Sequence, residues 1–467
     1  MQENFVRHIE SNARRFAAKA ALVWDSGSLT WSELDRRASG FAGDLSRQGV
    51  RPGDRVAIVI PNRPEFVIAF LAVLKLDATA APLNPLLNRG DLEASTEDLR
   101  PKLIVNEVNA QPGAWETPGH AAAPALILYT SGSTGRPKGS VFSHNALTFA
   151  NRSWAEPVMA LTPDDRVLVA VPLAHSLGLN GGLLAPLLSG ATISLVERFS
   201  PEAVFDAIRR DRVTVLPAVP TIFRRLLNSP AFAAADFSSL RLAVSGAAPC
   251  PWGLAMEWRE KTSTRIVRGY GMTELFRPIS YFADEPTDIP DAVGKSVPGV
   301  EIRIVENGEM PRCDAAGELL IRSPAAMDGY LGDIEETRTV LADGWFKTGD
   351  LADISSEGYV RIVGRKRERI LRGGYSIFPQ EVEAVLLSHP AVAEAAVVGV
   401  PSPDLGEEIA AFVSLKSATR VTPEELLDHC RKRLARFKYP RQVKILKELP
   451  KGPTGKILKA ELVRGEF

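Results

Sequence analysis

A chain of 467 residues exceeds what one hydrophobic core fills, so two or more domains are expected. Its 56 Lys plus Arg balance its 56 Asp plus Glu, and a net charge of zero offers no broad electrostatic footprint for a nucleic-acid backbone. Hydrophobic residues at 45% and charged residues at 24% are the mix of a soluble globular protein, and no run approaches the roughly 18 apolar residues of a membrane span.

The three cysteines, Cys250, Cys313 and Cys430, are odd in number and far apart. They suggest neither a disulfide framework nor a zinc site, which fits a reducing, cytoplasmic setting. From Met1 to Ala20, Phe5, Ile9 and Phe16 are spaced among charges, the pattern of an amphipathic helix and not of a signal peptide. Val56 to Ile60 reads as a buried strand and Pro64 to Leu76 as the helix after it. Leu126 to Tyr129, Val167 to Val171 and Leu242 to Val244 read as further strands, and Ser200-Pro201-Glu202 opens a capped helix. This alternation predicts an α/β protein.

The texture changes at Gly364-Arg365-Lys366-Arg367-Glu368-Arg369, a charge run that no core holds. Beyond it, Ser376 to Pro379 leads into a helix. Val397 to Val400 and Ala410 to Leu415 read as strands, and Thr422-Pro423-Glu424-Glu425 caps another helix. The boundary is placed here, giving a large domain over 1–366 and a small α+β domain over 367–467.

The densest chemical signal is Tyr129-Thr130-Ser131-Gly132-Ser133-Thr134-Gly135-Arg136-Pro137-Lys138-Gly139. It follows a predicted strand and holds three glycines, five hydroxyls and two cations. Glycines let backbone N–H groups approach an anion and hydroxyls add donors, so the composition suits a polyphosphate cradle. The bland alternative is a flexible surface loop. It is not a GxxxxGK[ST] loop, because its lysine follows a proline and no Ser or Thr comes next.

Taken with later segments, this loop resembles a signature of the adenylate-forming superfamily, which comprises acyl-CoA synthetases, nonribosomal adenylation domains and luciferases. Gly269-Tyr270-Gly271-Met272-Thr273-Glu274 resembles the second signature, and Gly317-Glu318-Leu319 with Gly329-Tyr330-Leu331 the third. Trp345 to Asp350, Gly364-Arg365, Gly373-Gly374, Glu381-Val382-Glu383 and Pro453-Thr454-Gly455-Lys456 complete the order. The resemblance runs from about Leu29 to Lys456 and implies a large multi-subdomain N-terminal domain with a small, mobile C-terminal one.

It also implies roles. Thr130, Ser131, Gly132, Ser133, Thr134, Gly135 and Lys138, with Tyr270, Gly271, Thr273, Asp350 and Arg365, would bind ATP and AMP. Glu274 would hold Mg2+, Asp350 the ribose hydroxyls, and Lys456 the charge that builds during adenylation. Gly373 and Gly374 would line a thiol tunnel, and Arg367 stands at the hinge position, where Asp or Lys is usual. The acid pocket would comprise His175, Gly178, Val219, Ser245, Gly246, Ala247, Gly271 and Met272, with His175 as a gate and Ser176 and Tyr270 nearby. Seen alone, Thr273-Glu274 is a helix-start pair, Asp350 a turn aspartate, His175 a core residue and Lys456 a solvated cation.

Amino-acid-activating relatives carry an aspartate near position 175 to pair the ammonium. This sequence has His-Ser-Leu-Gly with no acid, so an aryl or short-to-medium aliphatic acid is expected. Arg277 could pair a second carboxylate or serve structure. The expected reaction is acid–CoA ligation using ATP, Mg2+ and coenzyme A. The alternative is a freestanding enzyme loading an acyl carrier protein, and a non-catalytic binder or a luciferase-like oxygen reaction is less favoured. Two departures stand out: Asp77 where the family usually has glycine, and a short 109–123 segment, read as a trimmed surface loop.

Overall fold

The short apolar runs of the first half lack polar alternation, as strands buried on both faces must. In the computed structural model, which describes residues 2–130, 137–285, 289–305, 316–373, 375–416, 419–451 and 457–464, they enter two sheets of a compact unit formed by residues 1–301 and 321–346.

Among the described residues, one sheet has seven strands, in the order Ile266–Val267, Leu242–Ser245, Val215–Ala218, Arg166–Val169, Thr192–Leu195, Ala20–Trp24 and Gly27–Thr30. Its neighbours run parallel apart from the hairpin between the last two. The other has six, in the order Gly329–Tyr330, Lys138–Phe142, Leu126–Thr130, Thr79–Pro82, Arg55–Ile58 and Leu103–Val105. Its first two pairings are antiparallel and the rest parallel. Among the described residues no helix is long and apolar enough to cross a membrane.

The amphipathic pattern at the N-terminus yields a helix over Val6–Arg15 only, because Ala20 already joins the seven-stranded sheet. Helix Pro64–Lys75 is buried at every position from Phe66 to Lys75, which explains its absence of a polar face. Lys75, 1% exposed, is neutralised by Glu10 at 2.6 Å and Asp35 at 2.9 Å. The Trp115 indole donates to Lys75 O at 3.1 Å and Thr117 bonds Glu10, so the short, largely exposed 109–123 segment is anchored to this ion cluster. Asp77 takes a left-handed φ of 54°, the conformation for which glycine is the usual choice. Its carboxylate accepts from the amides of Ala122 at 3.0 Å and Ala123 at 3.4 Å, local bonds that offset the backbone cost.

The second unit, residues 302–320 and 347–467, is α+β. Strand Val392–Ser402 pairs antiparallel with Gly406–Leu415, which also borders Gln442–Leu446 and the hairpin of Ile370–Arg372 with Tyr375–Ile377. Helices Pro379–Leu387 and Pro423–Arg431 bury Val382, Leu386, Leu426 and Cys430 against Val397, Ile409, Ala411 and Val413. The expected capping box is present, with Thr422 Oγ1 accepting from Glu425 N at 3.2 Å and Thr422 N donating to the Glu425 carboxylate at 2.7 Å. Burial of the Cys430 thiol pushes its pKa up to about 11, so it serves as an inert core residue.

Candidate active site

Strands Arg166–Val169, Val215–Ala218 and Leu242–Ser245 are neighbours, and loops beyond the carboxyl ends of such parallel strands form binding crevices. The first strand leads to His175, the second to Val219, and the third ends on Ser245-Gly246-Ala247. His175 is half-buried, its amide donates to Pro172 O at 3.1 Å, and its Nε2 lies 3.2 Å from Asn84 Nδ2. A Cβ on Gly178 would come within 2.3 Å of Pro172 O, so glycine is what lets the helical segment begin directly behind this turn. Gly246 N donates to Ala218 O at 3.3 Å, and Ala247 takes a φ of 65°, rare for a residue with a side chain.

Tyr270, Gly271 and Met272 lie on strand Gly269–Met272, paired antiparallel with Phe276–Ser280 and irregular between Tyr270 and Met272. Thr273 and Glu274 open the 3₁₀ turn that joins these strands. Phe276 ends the turn at φ 55° and ψ −112°, a sparsely populated conformation held by burial of its ring 4.4 Å from that of Phe142. A Cβ on Gly271 would meet Phe276 O at 1.9 Å, so the turn tolerates no side chain there.

The carboxylate of Glu274 accepts from Tyr330 Oη at 2.9 Å, and its main-chain oxygen accepts from Met327 N at 2.9 Å. Lys138, at the end of the hydroxyl-rich loop, lies 5.3 Å from the Tyr330 ring centroid and pairs with Glu336 at 2.7 Å. Two residues from separate signatures are thereby gathered around one tyrosine. The sequence places Tyr330 only inside a Gly-Tyr-Leu signature and gives no sign of Glu336. The pairing of Gly329–Tyr330 with Ser140 and Val141 brings them here. Ser131, Gly132, Ser133, Thr134 and Gly135 lie outside the described residues, as does Arg136; Thr130 ends the strand before them. Tyr129 donates to Asp98 at 2.7 Å, and burial pushes its pKa up, which makes it an anchor of this strand.

Among the described residues no three His, Cys, Asp or Glu side chains form a metal-binding group. Glu274 is half-buried, and a single carboxylate ligand fits a magnesium ion that keeps water and substrate phosphates as its other ligands.

In the second unit, Asp350 and Arg365 face each other in the antiparallel register, with Arg365 Nε 3.2 Å from Asp350 Oδ1. Asp350 is 3% exposed, and its amide donates to Thr348 Oγ1 at 3.0 Å. Thr348 in turn donates to Leu319 O at 2.8 Å, which fixes the Thr-Gly-Asp bend. Gly373 has a φ of 54° and donates its amide to Leu405 O at 2.8 Å. Arg367 sits in the 3₁₀ turn Lys366–Glu368, while Gly374 and Lys456 lie outside the described residues. Cations of the small unit are engaged locally: Arg372 bonds Glu408 at 2.9 Å, Lys438 bonds Glu381 at 2.8 Å, and Arg441 lies 4.2 Å from the Tyr439 ring centroid.

The class is that of a two-unit enzyme of mixed helix and strand, with its candidate pocket at the carboxyl edge of a parallel sheet. Residues 9–116 and 106–331 match the profile of the AMP-binding enzyme, and residues 381–456 match that of the AMP-binding enzyme C-terminal domain. Feruloyl-CoA synthase of Amycolatopsis is 36% identical over 482 residues, covering 96% of each chain. ATP-bound MatB of Rhodopseudomonas palustris is 30% identical with a TM-score of 0.90, over 100% of this chain and 99% of that one. The o-succinylbenzoate CoA synthetase of Bacillus subtilis, solved with its acyl-adenylate intermediate, is 30% identical with a TM-score of 0.88 over 99% and 98%. The chain belongs to the AMP-binding enzyme family.

Proposed function

We propose that this chain is an AMP-forming acid–CoA ligase acting on an aryl or short-to-medium aliphatic carboxylic acid. The observation that carries the reading is the gathering of Glu274 and Lys138 around Tyr330. In the first half-reaction the acid's carboxylate attacks the α-phosphorus of ATP in line, forming acyl-AMP and expelling pyrophosphate. Glu274 would hold a magnesium ion, which would supply charge neutralisation for the phosphates. Lys138 and the hydroxyl-rich loop hold the phosphates, Asp350 and Arg365 the ribose, and Lys456 offsets the charge that builds between carboxylate and phosphate.

In the second half, the coenzyme A sulfur attacks the acyl carbon, AMP leaves, and the thiol proton passes to solvent. We place the domain boundary at 366/367, with rotation about Arg367 withdrawing Lys456 and bringing Gly373-Gly374 to the thiol path. His175 gates the acid and thiol sites. The apolar, acid-free lining near His175 supports an acid without an α-ammonium group. The names of the relatives above, feruloyl-CoA synthase and o-succinylbenzoate CoA synthetase, support an aromatic acid and coenzyme A as acceptor. A cytoplasmic location suits both reduced thiols and this acceptor.

The test is pyrophosphate release across a panel of carboxylic acids, with coenzyme A, with a pantetheine-bearing carrier protein, and with neither. Continuous release only when coenzyme A is present is expected. Fast turnover with the carrier protein alone would reassign the chain as a loading enzyme, and no release with any acid would remove the reading altogether.

A further inference from the structure

Arg277 is a buried cation that no carboxylate pairs with among the described residues. Its residue is 6% exposed, and burial, opposed by the Cys250 thiol, pushes its pKa down to about 9. The guanidinium donates from Nε to Ser280 Oγ at 3.0 Å, from Nη1 to Ser245 O at 2.7 Å and from Nη2 to Val267 O at 3.4 Å. Trp154 covers it, with the ring centroid 4.9 Å from Cζ. These acceptors are neutral, and among the described residues no carboxylate pairs with it. A guanidinium carries five N–H donors, so two are left over by this set. A desolvated charge without a counter-charge is costly, and a core residue of similar size would pack the same volume without that cost.

The surroundings are shaped to admit it. A Cβ on Gly269 would lie 2.4 Å from Nη2, so glycine is what admits the guanidinium at that point. A Cβ on Gly246 would lie 3.4 Å from Nη1 and 3.1 Å from Leu177 Cδ1, so glycine there lets Nη1 and Leu177 approach the turn that follows strand Leu242–Ser245. Ser245, whose main-chain oxygen accepts from Nη1, also has a buried Oγ with no hydrogen-bond partner among the described residues. A spare N–H, a net positive charge and an unpaired hydroxyl therefore belong to two residues in direct contact.

We infer that the acid activated by this chain carries a second carboxylate, and that Arg277 with Ser245 receives it through Nη1–H and Oγ–H. This rests on the acid–CoA ligase reading and narrows its substrate to dicarboxylic acids whose far end is anionic. The second carboxylate supplies the missing counter-charge and accepts both donors, whereas a methyl group at that place leaves the cation unpaired.

The experiment is pyrophosphate release by the full chain with matched pairs of acids. These are α,ω-dicarboxylic acids of increasing length and benzenedicarboxylic acids, each beside the counterpart in which the far carboxylate is a methyl group. For at least one length, kcat/KM of the dicarboxylic acid is expected to exceed that of its methyl counterpart by about tenfold or more. Arg277→Gln lowers that ratio by about 100-fold and Arg277→Lys by about tenfold, since lysine keeps the charge but not the fork. Wild-type preference for the methyl member of every pair overturns the assignment, as does an equal loss for both members in Arg277→Gln. Should Arg277→Gln not fold by circular dichroism, the wild-type ratio and Arg277→Lys decide. Absence of pyrophosphate release with every acid would instead count against the ligase reading itself.

Discussion

Replacing Tyr330 by Phe removes one O–H and keeps the ring, so the Lys138 contact at 5.3 Å and the strand pairing at Gly329–Tyr330 survive. What is lost is the 2.9 Å hydrogen bond to Glu274. A bond to an ionised carboxylate contributes roughly 1.5–3 kcal/mol when buried. Glu274 is only half-buried, which places this one at the lower end, about 1.5 kcal/mol, or about tenfold in kcat/KM. The loss should appear as a higher magnesium requirement and a higher KM for MgATP in a continuous pyrophosphate assay, with the melting temperature moved by no more than about 2–4 °C. Glu274→Gln, which removes the charge itself, is expected to cost about 100-fold or more. A Tyr330→Phe enzyme as fast as the parent at limiting magnesium, beside an inactive Glu274→Gln, would show that the tyrosine does not orient the carboxylate.

Three further outcomes are expected. Lys456→Ala should abolish most acyl-adenylate formation while sparing thioester formation from supplied acyl-AMP, because its charge serves one transition state; equal loss in both half-reactions would remove the two-conformation account. Asp350→Ala should weaken ATP binding by about 2–4 kcal/mol in calorimetry, the worth of two hydrogen bonds from ribose to a carboxylate that is 3% exposed; unchanged affinity would contradict the ribose assignment. His144 accepts from Phe5 N at Nδ1, and burial, opposed by Asp77 at 3.9 Å, pushes its pKa down from 6.5 to about 4. Its unfolded form takes up a proton first, so the stability it contributes is complete above pH 6.5 and is lost as pH falls towards 4, by at most roughly 3 kcal/mol. Urea titrations at pH 7.5 and 4.5 should show this loss in the parent and less of it in His144→Gln; the same acid sensitivity in both would place the effect elsewhere.

Local features were legible because their causes are local. A proline after a serine cap starts the helix Pro201–Asp211, a Thr-x-x-Glu box starts Pro423–Arg431, and unbroken apolar runs became the parallel strands. The ordered signatures likewise pointed to Glu274, Asp350 and the loop before Lys138, since a family resemblance compares residue types along the chain. Boundaries were less secure: the N-terminal helix is half the length its pattern allows, because sheet pairing of Ala20 outweighs helical periodicity.

Only the tertiary structure decided which of these residues meet. Tyr330 reaches Glu274 across 56 positions, and Arg365 lies opposite Asp350 through strand register, which a one-residue slip would undo. The same holds for charge: only packing sets Glu408 beside Arg372 and Glu381 beside Lys438, and only packing shows that the hydrogen bonds of Arg277, which the sequence leaves between substrate pairing and a structural role, go to neutral oxygens. Residue type sets what a side chain can do. The desolvation and partners that decide what it does come from chain segments far apart in sequence, and those are fixed only by packing.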